Sequence, residues 1–249
     1  MAEPPIGRVT LSRPESRNPQ TPATWRALAA VGASLDPDLR VVVLDAEGPS
    51  FSAGLDRRIL DGSGIPGEPS LADLAALEPG ELDAAIARFQ AAFTWWRLSS
   101  AVTIAAVTGH AVGAGFQLAL ACDLMVCADD ARFAMRETSL GLVPDLGGTA
   151  QLVRAVGYPR ALEICATGRW VGGREAVDLG LAVASVPAGE LGPAVDDLAA
   201  AVLAAPAGAL HELKPLLRDA VHRATGEQLA AERAAQARRL TDVARTLRE

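Results

Sequence analysis

VTIAAVTGHAVGAGFQLALACD, from Val102 to Asp123, is the most telling stretch of the chain. Val102 to Val107 is an apolar run of the kind that forms a strand buried on both faces. Thr108 to Gly115 is a tight turn of small residues, and Phe116 to Ala121 is predicted as a short helix. A dinucleotide fingerprint would need a third glycine where Leu118 stands, and a P-loop would close on Gly-Lys-Ser/Thr, so both are excluded. What remains is a strand, a turn and a helix start whose backbone N–H groups lack intrahelical partners and carry the positive end of the helix dipole. Close strand-helix packing and presentation of an amide to a ligand are both open for such a turn.

The pattern repeats on either side. Arg40 to Leu44 (RVVVL) reads as a second doubly buried strand, Gly7 to Leu11 as a short one, Asp123 to Ala128 as another, and Arg132 to Met135 as a further short one. Thr21-Pro22 is an N-cap followed by proline at the first helical position, opening a helix with Trp25, Leu28 and Val31 on one face. Leu82, Ile86, Phe89, Phe93 and Trp96 step by four and three along another helix. Between these helices, Asp61 to Gly80 is rich in Gly, Pro and Ser and reads as a long loop. Beyond Val186-Pro187 the pattern is purely helical: Leu191 to Ala204, a segment after Pro206 to about Val221, and Glu227 to Leu247. Alternating strands and helices define an α/β class.

The 249 residues are 50% hydrophobic and 21% charged, enough apolar material for a sizeable core. A formal net charge of −7 with 4% aromatic residues argues against a nucleic-acid binder. No apolar stretch has the length of a membrane span, the N-terminus has no basic start followed by an apolar run, and Cys122, Cys127 and Cys165 form no CxxC pair. The expectation is a cytoplasmic protein with reduced thiols and no membrane partner. No His/Cys/Asp cluster has metal-ligand spacing, so no metal is expected.

Two further segments bear on chemistry. Phe51-Ser-Ala-Gly-Leu-Asp56 is a second small-residue turn that follows a buried strand, and two such turns can supply convergent N–H donors to one oxygen, an oxyanion hole. Glu137 and Asp145 stand eight positions apart in an apolar, glycine-containing stretch. They are either desolvated carboxylates suited to general acid/base work or solvated loop acids and helix caps. His110 has no identifiable nucleophile or carboxylate partner and reads as structural. Cys122 and Cys127 read as small core hydrophobes.

Taken together, Leu11-Ser-Arg-Pro-Glu-Ser-Arg-Asn18, Phe51 to Asp56, Ile104 to Gly115, Cys122-Asp-Leu124, Glu137 to Thr149, Thr167-Gly-Arg169 and Gly180-Leu181 resemble, in order, the enoyl-CoA hydratase/isomerase (crotonase) superfamily. The resemblance implies a crotonase-like (ClpP/crotonase) spiral of repeated ββα turns over residues 1–190. It also implies a helical C-terminal trimerisation region over 191–249, in a homotrimer or dimer of trimers. The implied substrate is an acyl-CoA thioester, with coenzyme A arriving as part of it and no separate cofactor. Chemistry would pass through a thioester enolate held by the backbone amides of Leu55 and Ala114, with Ala53 and other small neighbours admitting the thioester. Arg17 matches a stretch that contacts the CoA nucleotide, although a solvated arginine fits there too. Lys214 and nearby arginines would reach the CoA phosphates of a neighbouring subunit, and the 61–80 loop would line the acyl pocket.

At the acid/base positions the chain departs from the hydratase pattern. Hydratases of this family use two glutamates; one is present as Glu137, but the other position holds Gln117, which neither takes nor gives a proton at neutral pH. Single-glutamate double-bond isomerisation by Glu137 is therefore favoured, with Asp145 at an offset similar to that of a second acid in dienoyl-CoA isomerases. The alternatives are hydration by Glu137 with Asp145 or an ordered water, and a non-catalytic acyl-CoA-binding protein.

Overall fold

Val41-Val-Val-Leu44 is fully buried because its alternate side chains serve two different cores. Val41 and Val43 face one apolar cluster with Ile104, Val126 and Val195; Val42 and Leu44 face the larger cluster with Phe51, Trp96 and Phe116. A sheet covered on both sides thus accounts for the uninterrupted apolar runs.

The computed structural model describes residues 6–247. Along the chain come β1 (Ile6–Leu11), α1 (Pro22–Ala33), β2 (Val41–Ala46), α2 (Arg57–Leu60), α3 (Leu71–Ala75), α4 (Pro79–Leu98) and β3 (Val102–Val107). Then follow β4 (His110–Val112), α5 (Ala114–Ala121), β5 (Leu124–Ala128), β6 (Arg132–Ala134), α6 (Gly148–Thr167), β7 (Val171–Gly172), α7 (Gly173–Asp178) and β8 (Ala184–Val186). The chain ends in α8 (Leu191–Ala204), α9 (Ala207–Asp219) and α10 (Thr225–Thr246). Strands β1-β2-β3-β5-β8 form an all-parallel sheet, and β4-β6-β7 form a second, smaller one. Successive units pass from the large sheet through the small one into a helix: β3–β4–α5, then β5–β6–α6. This is the ββα spiral.

The first helix has the expected start: Thr21 caps it in a reciprocal box with Thr24, and Pro22 opens it. Trp25 packs against Phe89 and Phe93 of α4, at ring-centroid separations of 5.0 and 6.0 Å. Helix α6, β7, α7 and β8 have no counterpart in the expectations, and two further segments differ from them. The turn from Thr108 to Gly115 contains β4, and α5 begins inside it at Ala114. The 61–80 loop carries the short helix α3, closed by a capping box between Ser70 and Asp73. At the C-terminal end, α8 lies across β2, β3 and β5 and seals the second cluster with Val195 and Ala199. Among the described residues no single helix is long and apolar enough to cross a membrane.

Lys214 is committed within its own chain rather than reaching for a neighbour. Its Nζ lies 2.7 Å from Asp123 Oδ2 and donates to the carbonyls of Trp96 (3.1 Å) and Ala101 (2.6 Å), tying α9 to the end of α4. Asp123 also accepts from the Thr103 amide and hydroxyl at 2.8 and 3.0 Å. Removing the cation leaves a largely buried carboxylate short of a partner. Lys214→Met is expected to cost about 2 kcal/mol, read as a lower urea midpoint at unchanged m-value.

Candidate active site

Ser52 pairs in parallel with Ala111 of β4, and Ala111 pairs in parallel with Phe133 of β6. Three segments therefore leave the small-sheet layer side by side. The third residue beyond each of the first two partners is Leu55 and Ala114, and the fourth beyond Phe133 is Glu137. The register alone brings together residues spread over more than eighty positions.

The Leu55 turn is held from behind. The Gln20 amide donates to the Gly54 carbonyl at 2.7 Å and its carbonyl accepts from the Asp56 amide at 2.8 Å, which turns the Leu55 N–H to the opposite side. Ala53 N–H donates to the Arg17 carbonyl at 2.8 Å. Buried Ser52 donates its hydroxyl to the Asn18 carbonyl (2.7 Å) and accepts from Gln20 Nε2 and the Gly54 amide, both at 3.2 Å. Asn18 is itself anchored to the carbonyls of Glu47 and Ser50, each at 2.8 Å. Asp56 caps α2 and is gripped by Arg58 and Arg13, which hold its carboxyl at about 2. The Arg17 side chain is exposed.

The Ala114 turn rests directly on this one. Gly54 has φ +87°, and a Cβ there would stand 2.5 Å from the Val112 carbonyl oxygen and 3.7 Å from the Ala114 nitrogen. Ala114 is the first residue of α5, so its N–H lies beyond the reach of the helix ladder. Among the described residues neither the Leu55 nor the Ala114 N–H donates to any acceptor. Gly113 has φ +51°, and a Cβ on it would approach Glu137 Oε1 to 3.3 Å, so the Glu137 carboxyl abuts this same turn.

Gln117 fixes the carboxyl. Its Oε1 accepts the backbone N–H groups of Leu146 (2.9 Å) and Gly148 (3.2 Å), which leaves Nε2 to donate to Glu137 Oε1 at 2.7 Å. The amide cannot be flipped without losing all three contacts. Glu137 Oε2 is buried and has no hydrogen-bond partner among the described residues. Burial pushes the Glu137 carboxyl above its usual range, the Asp145 charge adds to this, and hydrogen bonds from Gln117 and the backbone only partly oppose it. Asp145 is exposed on the rim, raised somewhat by partial desolvation, and its main-chain carbonyl accepts from Gln90 at 2.7 Å. Glu137, Gln117, Leu55, Ala114, Ala53 and the Arg17 backbone thus form one constellation.

His110 makes a 3.3 Å contact with Ser50 and an edge contact with Trp170, and pairs with no carboxylate among the described residues. Burial pushes the Cys127 thiol up to about 12, and Cys122 higher still. Among the described residues no group of His, Cys, Asp and Glu could hold a metal ion. Ser52, Asn18 and Gln20 escape a reading of the sequence as site residues. Their only signal is polarity at positions that pairing with distant segments buries.

This spiral of ββα turns places the chain in the crotonase class of α/β proteins. A family model described as enoyl-CoA hydratase/isomerase matches residues 2–246. The chain belongs to the enoyl-CoA hydratase/isomerase family, a family of enzymes. It superposes on a structure described as "a putative enoyl-CoA hydratase from Thermobifida fusca YX in complex with acetoacetyl-CoA" with a TM-score of 0.92 and 44% identity, over 97% of this chain and 94% of that one. It is 34% identical over 190 residues to the "Probable enoyl-CoA hydratase echA8" of Mycobacterium tuberculosis, covering 75% of this chain and 67% of that protein. To the peroxisomal Delta(3,5)-Delta(2,4)-dienoyl-CoA isomerase of Arabidopsis thaliana it is 37% identical over 151 residues, 60% of this chain and 54% of that one.

Proposed function

We propose that this protein moves the double bond of an acyl-CoA thioester from the 3- to the 2-position, with Glu137 as the proton carrier. The observation that carries this reading is the 2.7 Å bond from Gln117 to Glu137 Oε1, beside a buried and unpartnered Oε2. The Glu137 carboxylate takes a proton from C2, and the electron pair passes into the thioester carbonyl. The resulting dienolate oxygen is stabilised by the Leu55 and Ala114 amides. Glu137, now neutral, returns the proton to C4, and the electrons close a double bond between C2 and C3. Atoms and charge balance with no further cofactor, coenzyme A being part of the substrate. The bound acetoacetyl-CoA of the Thermobifida fusca YX relative supports the thioester class.

An upward-shifted carboxylate is a stronger base once ionised, which suits abstraction of a weakly acidic proton. A second reading, hydration, draws on Asp145, whose charge is felt at Glu137 and which could supply or take a second proton. Gln117→Glu separates the two. The new carboxylate keeps one oxygen on the Leu146 and Gly148 amides and sets the other against Glu137, so the pair holds one proton between them. Hydration of 2-enoyl-CoA relative to isomerisation of 3-enoyl-CoA is expected to rise by about 10²-fold. An unmoved ratio means that Gln117 is not what divides the two chemistries.

We further propose a homotrimer or dimer of trimers, assembled in the cytoplasm. Exposed apolar side chains recur along α9 and α10 at Leu213, Leu217, Leu229, Leu240 and Val243, and supply a face for subunit packing. The three free thiols suit a reducing compartment.

A further inference from the structure

Gln117, which holds Glu137, also lines a cavity of about 290 Å³, walled by α4, α5, the start of α6 and the end of α9. The 61–80 segment contributes none of its lining. Gln117 and Leu146 form its inner wall, so the space begins one side chain from the Glu137 carboxyl.

The charge around it is unbalanced. Arg97, Arg154 and Arg218 line the cavity against a single acid, Asp219. That acid is already spent: Arg218 holds it at 2.6 and 3.0 Å, and Arg223 at 3.1 Å. Arg154 donates to Gln151 at 3.2 Å and contacts His222 Nε2. Arg97 gives one N–H to the Leu120 carbonyl at 3.2 Å, while its Nε is buried with no acceptor. Neither Arg97 nor Arg154 forms an ion pair with a carboxylate among the described residues; Asp123, whose charge is felt at Arg97, is held by Lys214. Burial depresses the Arg97 pKa, the Asp123 charge partly opposes this, and the Arg154 charge adds to the depression.

Two forked donors with no carboxylate of their own, beside a small half-open cavity, match the geometry by which guanidinium groups bind carboxylates. We infer that this cavity receives the far end of the acyl chain and that the preferred acyl group carries a terminal carboxylate. The inference rests on the acyl-CoA reading above and names the substrate class of that same site. A methyl-terminated chain would leave the arginines unpaired and desolvate them further.

The test compares two 3-enoyl-CoA thioesters of equal chain length, one methyl-terminated and one ω-carboxylated. Turnover and deuterium incorporation at C2 are measured with the wild-type chain and with Arg154→Gln, an exposed position that leaves the core intact. Wild-type kcat/KM is expected to favour the carboxylated thioester by about tenfold or more, the effect of one charge-assisted hydrogen bond, and Arg154→Gln to erase most of that ratio. Equal rates, a preference for the methyl terminus, or a ratio that Arg154→Gln leaves unmoved would each overturn the inference while the acyl-CoA reading stands. Exchange with neither thioester, together with no binding of either by calorimetry, would overturn the acyl-CoA reading and the inference with it.

Discussion

Glu137→Gln is expected to lower kcat for 3-enoyl-CoA isomerisation by about 10²–10⁴-fold, with a far smaller change in KM. The substitution preserves shape and keeps an acceptor for the Gln117 amide, but removes the carboxylate that abuts the Gly113 turn and is proposed to accept the C2 proton. The same variant is expected to be more stable at neutral pH. Because burial raises the folded-state pKa of Glu137, the ionised carboxylate opposes folding: stability is lost as pH climbs from the ordinary carboxylate range through the raised value. Glutamine removes that cost, and its amide occupies the place of an oxygen that has no partner. A gain of about 1 kcal/mol at pH 7, seen as a melting temperature about 2–4 °C higher, is expected to fade below about pH 4. In the wild-type chain, kcat/KM is expected to rise with pH through an apparent pKa above that of a solvated carboxylate. Full activity in Glu137→Gln would remove the proton carrier from the mechanism.

Gly54→Ala is the second large effect. At φ +87° an L-residue is strained by about 1–2 kcal/mol, and the added methyl would stand 2.5 Å from a main-chain oxygen that cannot swing aside. The two turns must part. The expected loss is about 10²–10³ in kcat, that of one oxyanion donor, although no side chain near the thioester has changed chemically. Gly157→Ala is the control: its φ is +73° with open space around the missing Cβ, so it carries the backbone strain without the separation. It should lower the melting temperature and spare kcat. Equal kcat losses in both variants would mean that strain, rather than the spacing of the turns, governs the rate.

The large sheet was legible in the sequence because strands buried on both faces write themselves as apolar runs, as Val41 to Leu44 and Val102 to Val107 do. The small sheet was legible only at β6, read from Arg132 to Met135. Its strands are three, three and two residues long, too short for a period of two to register, and His110–Val112 lies among glycines that read as a turn. Helix α6 was passed over because its signals conflict: a glycine N-cap, Gly157 at φ +73° and Pro159 all interrupt a pattern that packing sustains. Among the site residues, Glu137 and the two turns stood out by motif. Gln117 stood out only as a missing acid. Its work in aiming Glu137 depends on the amides of Leu146 and Gly148, whose position no local pattern announces.

Gln117 and Leu146 each belong to two places at once, the support of the proton carrier and the wall of the cavity. On the proposed reading, rate and substrate choice are therefore expected to move together. A substitution that widens or recharges the cavity reaches the carboxylate through one amide, so directed evolution toward a new acyl group should repeatedly recruit compensating changes around residues 117 and 146.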